Sequence, residues 1–182
     1  ALPTQQPEWT DAVCAAAPWQ DVSRLYSTPD GRRLLLPMVR RRGIAGAVGV
    51  EASMPTHFGF GGILAEGGLT AADVRLVLDD LVARRVARQT LRENPLHGPL
   101  YDPLVGGAIS RVDRRSHVLD LTGGADAVWS QFAKSRQRAL RKAEREGVEV
   151  EIDATGRLLP EFFALMELSE RRWAEQQHEP AW

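Results

Sequence analysis

Between residues 125 and 152 the hydrophobic period of the chain changes from that of a helix to that of a strand, and this change constrains what can pack on what. On a helix turning about 100° per residue, Arg138, Arg141, Lys142 and Arg145 fall within roughly 80° of Lys134 on either side. They form one cationic stripe, with Trp129, Phe132, Ala139, Leu140 and Ala143 opposite. The spacing predicts a helix over 125–146, stopped by Gly147 as a C-terminal cap. After it Val148, Val150 and Ile152 alternate with Glu149 and Glu151, the period of a half-buried strand. Leu159, Phe162, Phe163, Met166 and Trp173 then return to helical spacing. Helix, strand and helix in that order, with further strands upstream, predict an α/β (α+β) fold with a mixed sheet flanked by helices.

One residue breaks the pattern. Arg136 projects at about 200° on the same wheel, within the apolar side. An arginine there needs a carboxylate, carbonyls or a bound anion to offset its desolvation. Asp120 or Asp126 could supply the carboxylate; the alternative is a ligand-binding arginine. For the stripe the choice is between a solvated helix face and a polyanion site. Six cations against a single acid between residues 134 and 145 exceed what solubility asks for. Aromatic residues for base stacking are missing from the stripe, so phosphate contact is the most it supports.

Upstream, Pro7 begins a short helix through Trp9 and Val13 that ends before Pro18. Pro29, Asp30 and Gly31 favour a tight turn between strands near 22–26 and 33–39. Two further strands are expected over 46–54 and 58–64. Thr70 with Asp73 forms a capping-box start, and Val74, Val77, Leu78, Leu81 and Val82 carry the helix to about Arg88. A strand over 89–93 follows, then a connector over 94–103 with three prolines and a glycine, and a strand over 115–121.

A net charge of -1 over 182 residues leaves any phosphate affinity to local charge segregation. The single cysteine, Cys14, excludes an internal disulfide and reads as a small buried hydrophobe, which with the lack of an 18-residue apolar run or leader pattern predicts a soluble, cytoplasmic protein. His57, His97, His117 and His178 lack metal-ligand spacing, so no metal is assigned. Ser53 and Ser110 lack a nucleophile-elbow context. His57, Phe60 and Gly61 are the loop candidates for a site, because loops carry function and glycine lets a ligand approach backbone; a simple turn or bulge is the competing reading for the glycines.

Taken in order, the motifs resemble a known family. Arg136, the pair Arg141 and Lys142, Ala143, and Gly147 with Val148 and Val150 are similar to the pattern of FemAB-like (peptidoglycan-bridge) acyltransferases of the GNAT superfamily. Gln6 to Trp9, Leu36 to Val39, Met54 with Pro55, and Phe58 to Ile63 resemble the beginning of such proteins. The resemblance implies two GNAT-like domains: the first over 1–122, and the basic helix, strand and helix of 123–182 opening a second, incomplete one. It implies transfer of an acyl or aminoacyl group from aminoacyl-tRNA or acyl-CoA to an amine of a cell-wall precursor or small metabolite, with no covalently bound cofactor. Arg136, Lys134, Arg138, Arg141 and Lys142 would hold donor phosphates; no catalytic residue is assigned. The alternative is a non-catalytic GNAT-like module that binds an anionic partner through the basic helix.

Overall fold

The computed structural model describes residues 1–43, 49–104, 106–107 and 109–176. The chain is a mixed α and β protein that divides into two compact units, Ala1–Ser116 and His117–Trp182.

In the first unit Pro7 occupies the first turn of helix α1 (Pro7–Ala16), where its missing N–H is no loss. Strands β1 (Trp19–Asp21), β2 (Arg24–Ser27), β3 (Arg33–Leu36), β4 (Val39–Arg41), β5 (Val50–Ala52) and β6 (Leu64–Ala65) follow. Helix α2 (Ala71–Ala83) and strand β7 (Arg88–Thr90) come next. The expected hairpin is β2 and β3, paired Arg24 to Leu36 and Ser27 to Arg33. Its turn closes through Gly31 N–H to Thr28 O at 2.9 Å, with Gly31 at φ +84°.

Two sheets result. One has the order β2-β3-β6; the other, β1-β4-β5-β7, is antiparallel except for the parallel pair β5 and β7. A parallel pair needs a crossover, and α2 lies within it. Leu34 and Leu36 share one face of β3 because strand side chains alternate, and they pack with Met38, Ile63, Val74, Val77 and Leu81 in the core. Thr70 Oγ1 accepts from Asp73 N–H at 3.2 Å, and Asp73 Oδ2 accepts from Thr70 N–H at 2.9 Å, completing the predicted capping box. Arg32 grips the same buried carboxylate through Nη2 at 2.8 Å and Nη1 at 3.2 Å, fixing the hairpin turn to the start of α2.

Several boundaries differ from expectation. Helix α2 stops at Ala83 rather than near Arg88, because Arg84 turns extended (φ -79°, ψ 140°) to let β7 join β5. Of the strand expected over 46–54, β5 forms, and residues 46–48 lie outside the described residues. The strand expected over 58–64 shrinks to β6, the rest being a glycine-rich loop. The connector over 94–103 contains two 3-10 turns and the short helix α3 (Gly98–Tyr101), which tolerates Pro99 in its first turn.

The second unit holds helices α4 (Gly124–Gln131), α5 (Lys134–Arg145) and α6 (Leu159–Glu175). The single helix expected over 125–146 is broken at Phe132, whose ψ of 132° is extended. Gln137 stabilises the break: its Nε2 donates to the carbonyls of Trp129 and Phe132, both at 3.1 Å, and so joins the Phe132 N–H, which donates to the same Trp129 carbonyl at 3.2 Å. The strands expected over 115–121 and 148–152 do not form, since neither segment finds a pairing partner among the described residues. Val150 and Ile152 are 86% and 91% exposed. No described residue from 117 onward is buried, and the apolar face of α6 is open at Phe162, Phe163, Met166 and Trp173.

The location of the core generates a test. Leu34→Ala should cost about 2–5 kcal/mol, read from the urea midpoint at unchanged slope. A loss below about 1 kcal/mol would mean that the site collapses around the smaller side chain, against the close packing described here.

Candidate functional site

Helix α5 concentrates the positive charge of the chain. Lys134, Arg136, Arg138, Arg141, Lys142 and Arg145 are all exposed on it. Among the described residues they form one ion pair, Lys142 Nζ to Glu146 at 3.6 Å, and one ring contact, Arg141 over Trp129 at 5.9 Å. The first turn carries Lys134 and Arg136 and no acid, the reverse of what the positive end of a helix dipole favours.

The expectation that Arg136 points inward is corrected. It stands in the first turn of α5, on the flank it shares with Leu140, which is itself 42% exposed. With that flank uncovered within the unit, the guanidinium stays in solvent and requires no carboxylate. Asp120 instead accepts from the backbone N–H and Oγ1 of Thr122, which together hold its carboxyl below the usual range. Asp126 sits in the first turn of α4.

The structure places His57, Phe60 and Gly61 together in the loop that follows β5. Phe58 N–H donates to Pro55 O at 3.1 Å, so Thr56 and His57 are the central residues of a turn. His57 has φ +75°. Phe60 is 40% exposed. Gly61 is buried and its backbone is already occupied: its N–H donates to Arg92 O at 2.8 Å, and its carbonyl accepts from Gln5 Nε2 at 2.8 Å. A Cβ on Gly61 would lie 2.5 Å from Ser53 O. The close approach that demands glycine there is therefore made by the protein itself.

Sequence reasoning passed over a charged cluster in the first unit. Glu51 is fully buried on β5, and both of its oxygens are held by arginines. Arg40 of β4, its register partner, donates through Nε at 2.9 Å and Nη2 at 2.5 Å to Oε1. Arg24 of β2, in the other sheet, donates through Nη2 at 2.5 Å to Oε2. Burial pushes the Glu51 carboxyl up, but the hydrogen bonds and charges of the two arginines outweigh it and hold the group below its ordinary value of 4.5. Arg24 Nη1 and Gln89 Nε2 are buried donors with no acceptor among the described residues. Gln89 pairs with Glu51 in register. The cluster fixes charge rather than exposing it, so it reads as a structural tie.

No cluster of three His, Cys, Asp or Glu side chains able to hold a metal occurs among the described residues, and His178 lies outside them. No helix among the described residues is long and apolar enough to cross a membrane. No protein-family model, curated protein or solved structure matches the chain.

The depressed Glu51 carboxyl sets a pH dependence. A group whose folded-state value is lowered contributes stability above its unfolded value and loses it as pH falls through the folded one. The contribution of Glu51 is thus full above about pH 4.5 and declines on acidification below it. Glu51→Gln should cost about 3 kcal/mol or more at pH 7, because two guanidiniums lose their carboxylate. It should also make the acid limb of a stability–pH curve shallower than that of the unsubstituted chain. An acid limb of unchanged slope would show that Glu51 is not the titrating tie.

Proposed function

We propose that this chain carries the donor-holding part of an acyl- or aminoacyltransferase of the FemAB-like, GNAT-related kind. The observation that carries the reading is α5, with its six exposed cations and a single long ion pair among the described residues. Unpaired cations along one short helix repel one another, and a polyanion relieves that repulsion at each of them. A phosphate near the first turn would also meet the free N–H groups and the positive end of the helix. Aminoacyl-tRNA and acyl-CoA, the two donor classes in view, both present such phosphates.

The chemistry asks little covalent participation of the protein. An acceptor amine attacks the acyl carbon, the carbonyl oxygen takes up charge, and the ribose hydroxyl or thiol of the donor leaves as the amine loses a proton. Positioning of donor and acceptor supplies most of what such a step needs. In this reading residues 123–182 open a second GNAT-like domain. The uncovered faces of Val148, Val150, Ile152 and α6 are then surfaces that its remaining strands would cover.

The test is transfer. The full chain, and any longer protein that contains it, is incubated with aminoacyl-tRNA or acyl-CoA and a panel of amines, and products are weighed by mass spectrometry. The proposal expects an added acyl mass with one donor class. The combined variant K134E, R138E, R141E and K142E should raise the donor KM about tenfold or more, roughly 1.4 kcal/mol of binding, with folding stability unchanged because these side chains are exposed. Binding of donor without transfer would favour the non-catalytic anion-binding module. Neither binding nor transfer would sink both readings.

A further inference from the structure

We propose that the cleft between one side of α2 and the turn of Gly106 to Ile109 binds a free α-amino acid with an apolar side chain. The inference stands on the first unit alone and does not depend on acyl transfer.

Val74, Val77 and Leu81 turn one side of α2 into the core, where all three are buried. Arg75, Leu78, Asp79, Val82 and Ala83 recur at i, i+3, i+4, i+7 and i+8, and so share a different side. That side lines a cleft of about 350 Å³, whose other wall is Leu104, Gly106 and Ile109. Its volume falls at the small end of ligand sites, which run from about 300 to 1,000 Å³. Both walls are held in place. Leu78 and Leu104 pack against the core cluster, and Ile109 N–H donates to Gly106 O at 3.0 Å, closing the turn.

The charged residues of α2 divide into two kinds. Asp73 is gripped by Arg32, and Asp80 by Arg84 one helical turn later at 2.9 Å. Arg75 and Asp79 have that same spacing, yet they form no ion pair with each other or with any other described residue. A base placed N-terminal to an acid runs against the helix dipole and is the weaker of the two orders. Each group therefore keeps its hydrogen-bonding capacity for a third partner, and both line the cleft.

The chemistry of the cleft selects the ligand. A guanidinium and a carboxylate one turn apart match the two charges of an amino acid: Arg75 donates to its carboxylate, and Asp79 accepts from its ammonium. Asp79 repels a plain carboxylic acid and Arg75 repels a plain amine, so together they favour the zwitterion. Further along the same side Val82 and Ala83 are apolar, with Leu78, Leu104 and Ile109 completing that end. Val82 is 52% exposed, apolar surface that a ligand side chain would remove from water. From Arg75 to Ala83 the helix advances about 12 Å, enough for a charged head and an apolar side chain laid end to end.

The full chain is titrated by calorimetry with L-phenylalanine and L-leucine. Three analogues serve as controls: phenylpropanoate lacks the ammonium, phenethylamine lacks the carboxylate, and L-alanine lacks the apolar body. The proposal expects saturable binding of phenylalanine or leucine, with each analogue weaker by about tenfold or more. Arg75→Gln should weaken the amino acid about tenfold and erase the preference over phenethylamine. Asp79→Asn should do the same for the preference over phenylpropanoate. Both positions are exposed, so the melting midpoint should stay within about 2 °C in each variant. Ala83→Trp should fill the cleft and abolish binding. No binding of either amino acid, equal binding of any analogue, or unchanged affinity in any of the three variants overturns the proposal.

Discussion

A carboxylate with no exposed surface must have its charge met on both oxygens, and at Glu51 the arginines that meet it come from different sheets. Arg40 is a neighbour on the adjacent strand, whereas Arg24 reaches across from the β2-β3-β6 sheet. The pairing therefore settles the register of β4 on β5 and also the placement of one sheet against the other. Replacing such a cluster by apolar side chains can be as stabilising, so its contribution is best seen as specificity: only one arrangement of the two sheets satisfies the charge. The β2–β3 hairpin is fixed at its other end by Arg32 on Asp73. Between these two ties lies the apolar core around Leu34 and Val77.

Those constraints also position the loop of 55–62. Strand β5 leads directly into it, and Ser53, just past the strand, receives the Arg92 N–H at its hydroxyl. The backbone that carries His57 and Phe60 is thus anchored to the same strand that carries Glu51. The second unit is built on a different principle. Its helices have apolar sides but bury no described residue, and the Gln137 amide spans the break between α4 and α5. Charge dominates there: among the described residues Glu146 alone forms an ion pair with the cations of α5.

Much of the first unit was legible because its signals are local. Pro7, the turn of Pro29 to Gly31, and Thr70 with Asp73 each determine backbone geometry within four residues, and each appears where the sequence places it. Glu51 was not legible. In the sequence it is one polar residue flanked by Val50 and Ala52, the pattern of a solvent-facing strand position, and the residue that makes its burial tolerable, Arg24, lies 27 positions away. The break at Phe132 was equally hidden, since no glycine or proline marks it and a glutamine amide five residues later stabilises it. Arg136 shows the limit of wheel arguments: the wheel gives a side of the helix, and whether that side is covered depends on elements the wheel does not contain. The alternation over 148–152 has the same limit, because a period of two describes a strand only where a partner supplies hydrogen bonds.

The proposed role of α5 is to grip phosphate. Its most direct test is the salt dependence of binding between the full chain and a defined RNA. Each phosphate contacted contributes roughly -0.7 to -0.9 to the slope of log K against log salt concentration, so four or five stripe cations predict a slope of about -3 to -4.5. Reversal of Lys134, Arg138, Arg141 and Lys142 should flatten that slope toward zero. A slope shallower than about -1 in the unsubstituted chain, or one that the reversed variant retains, would contradict the claim.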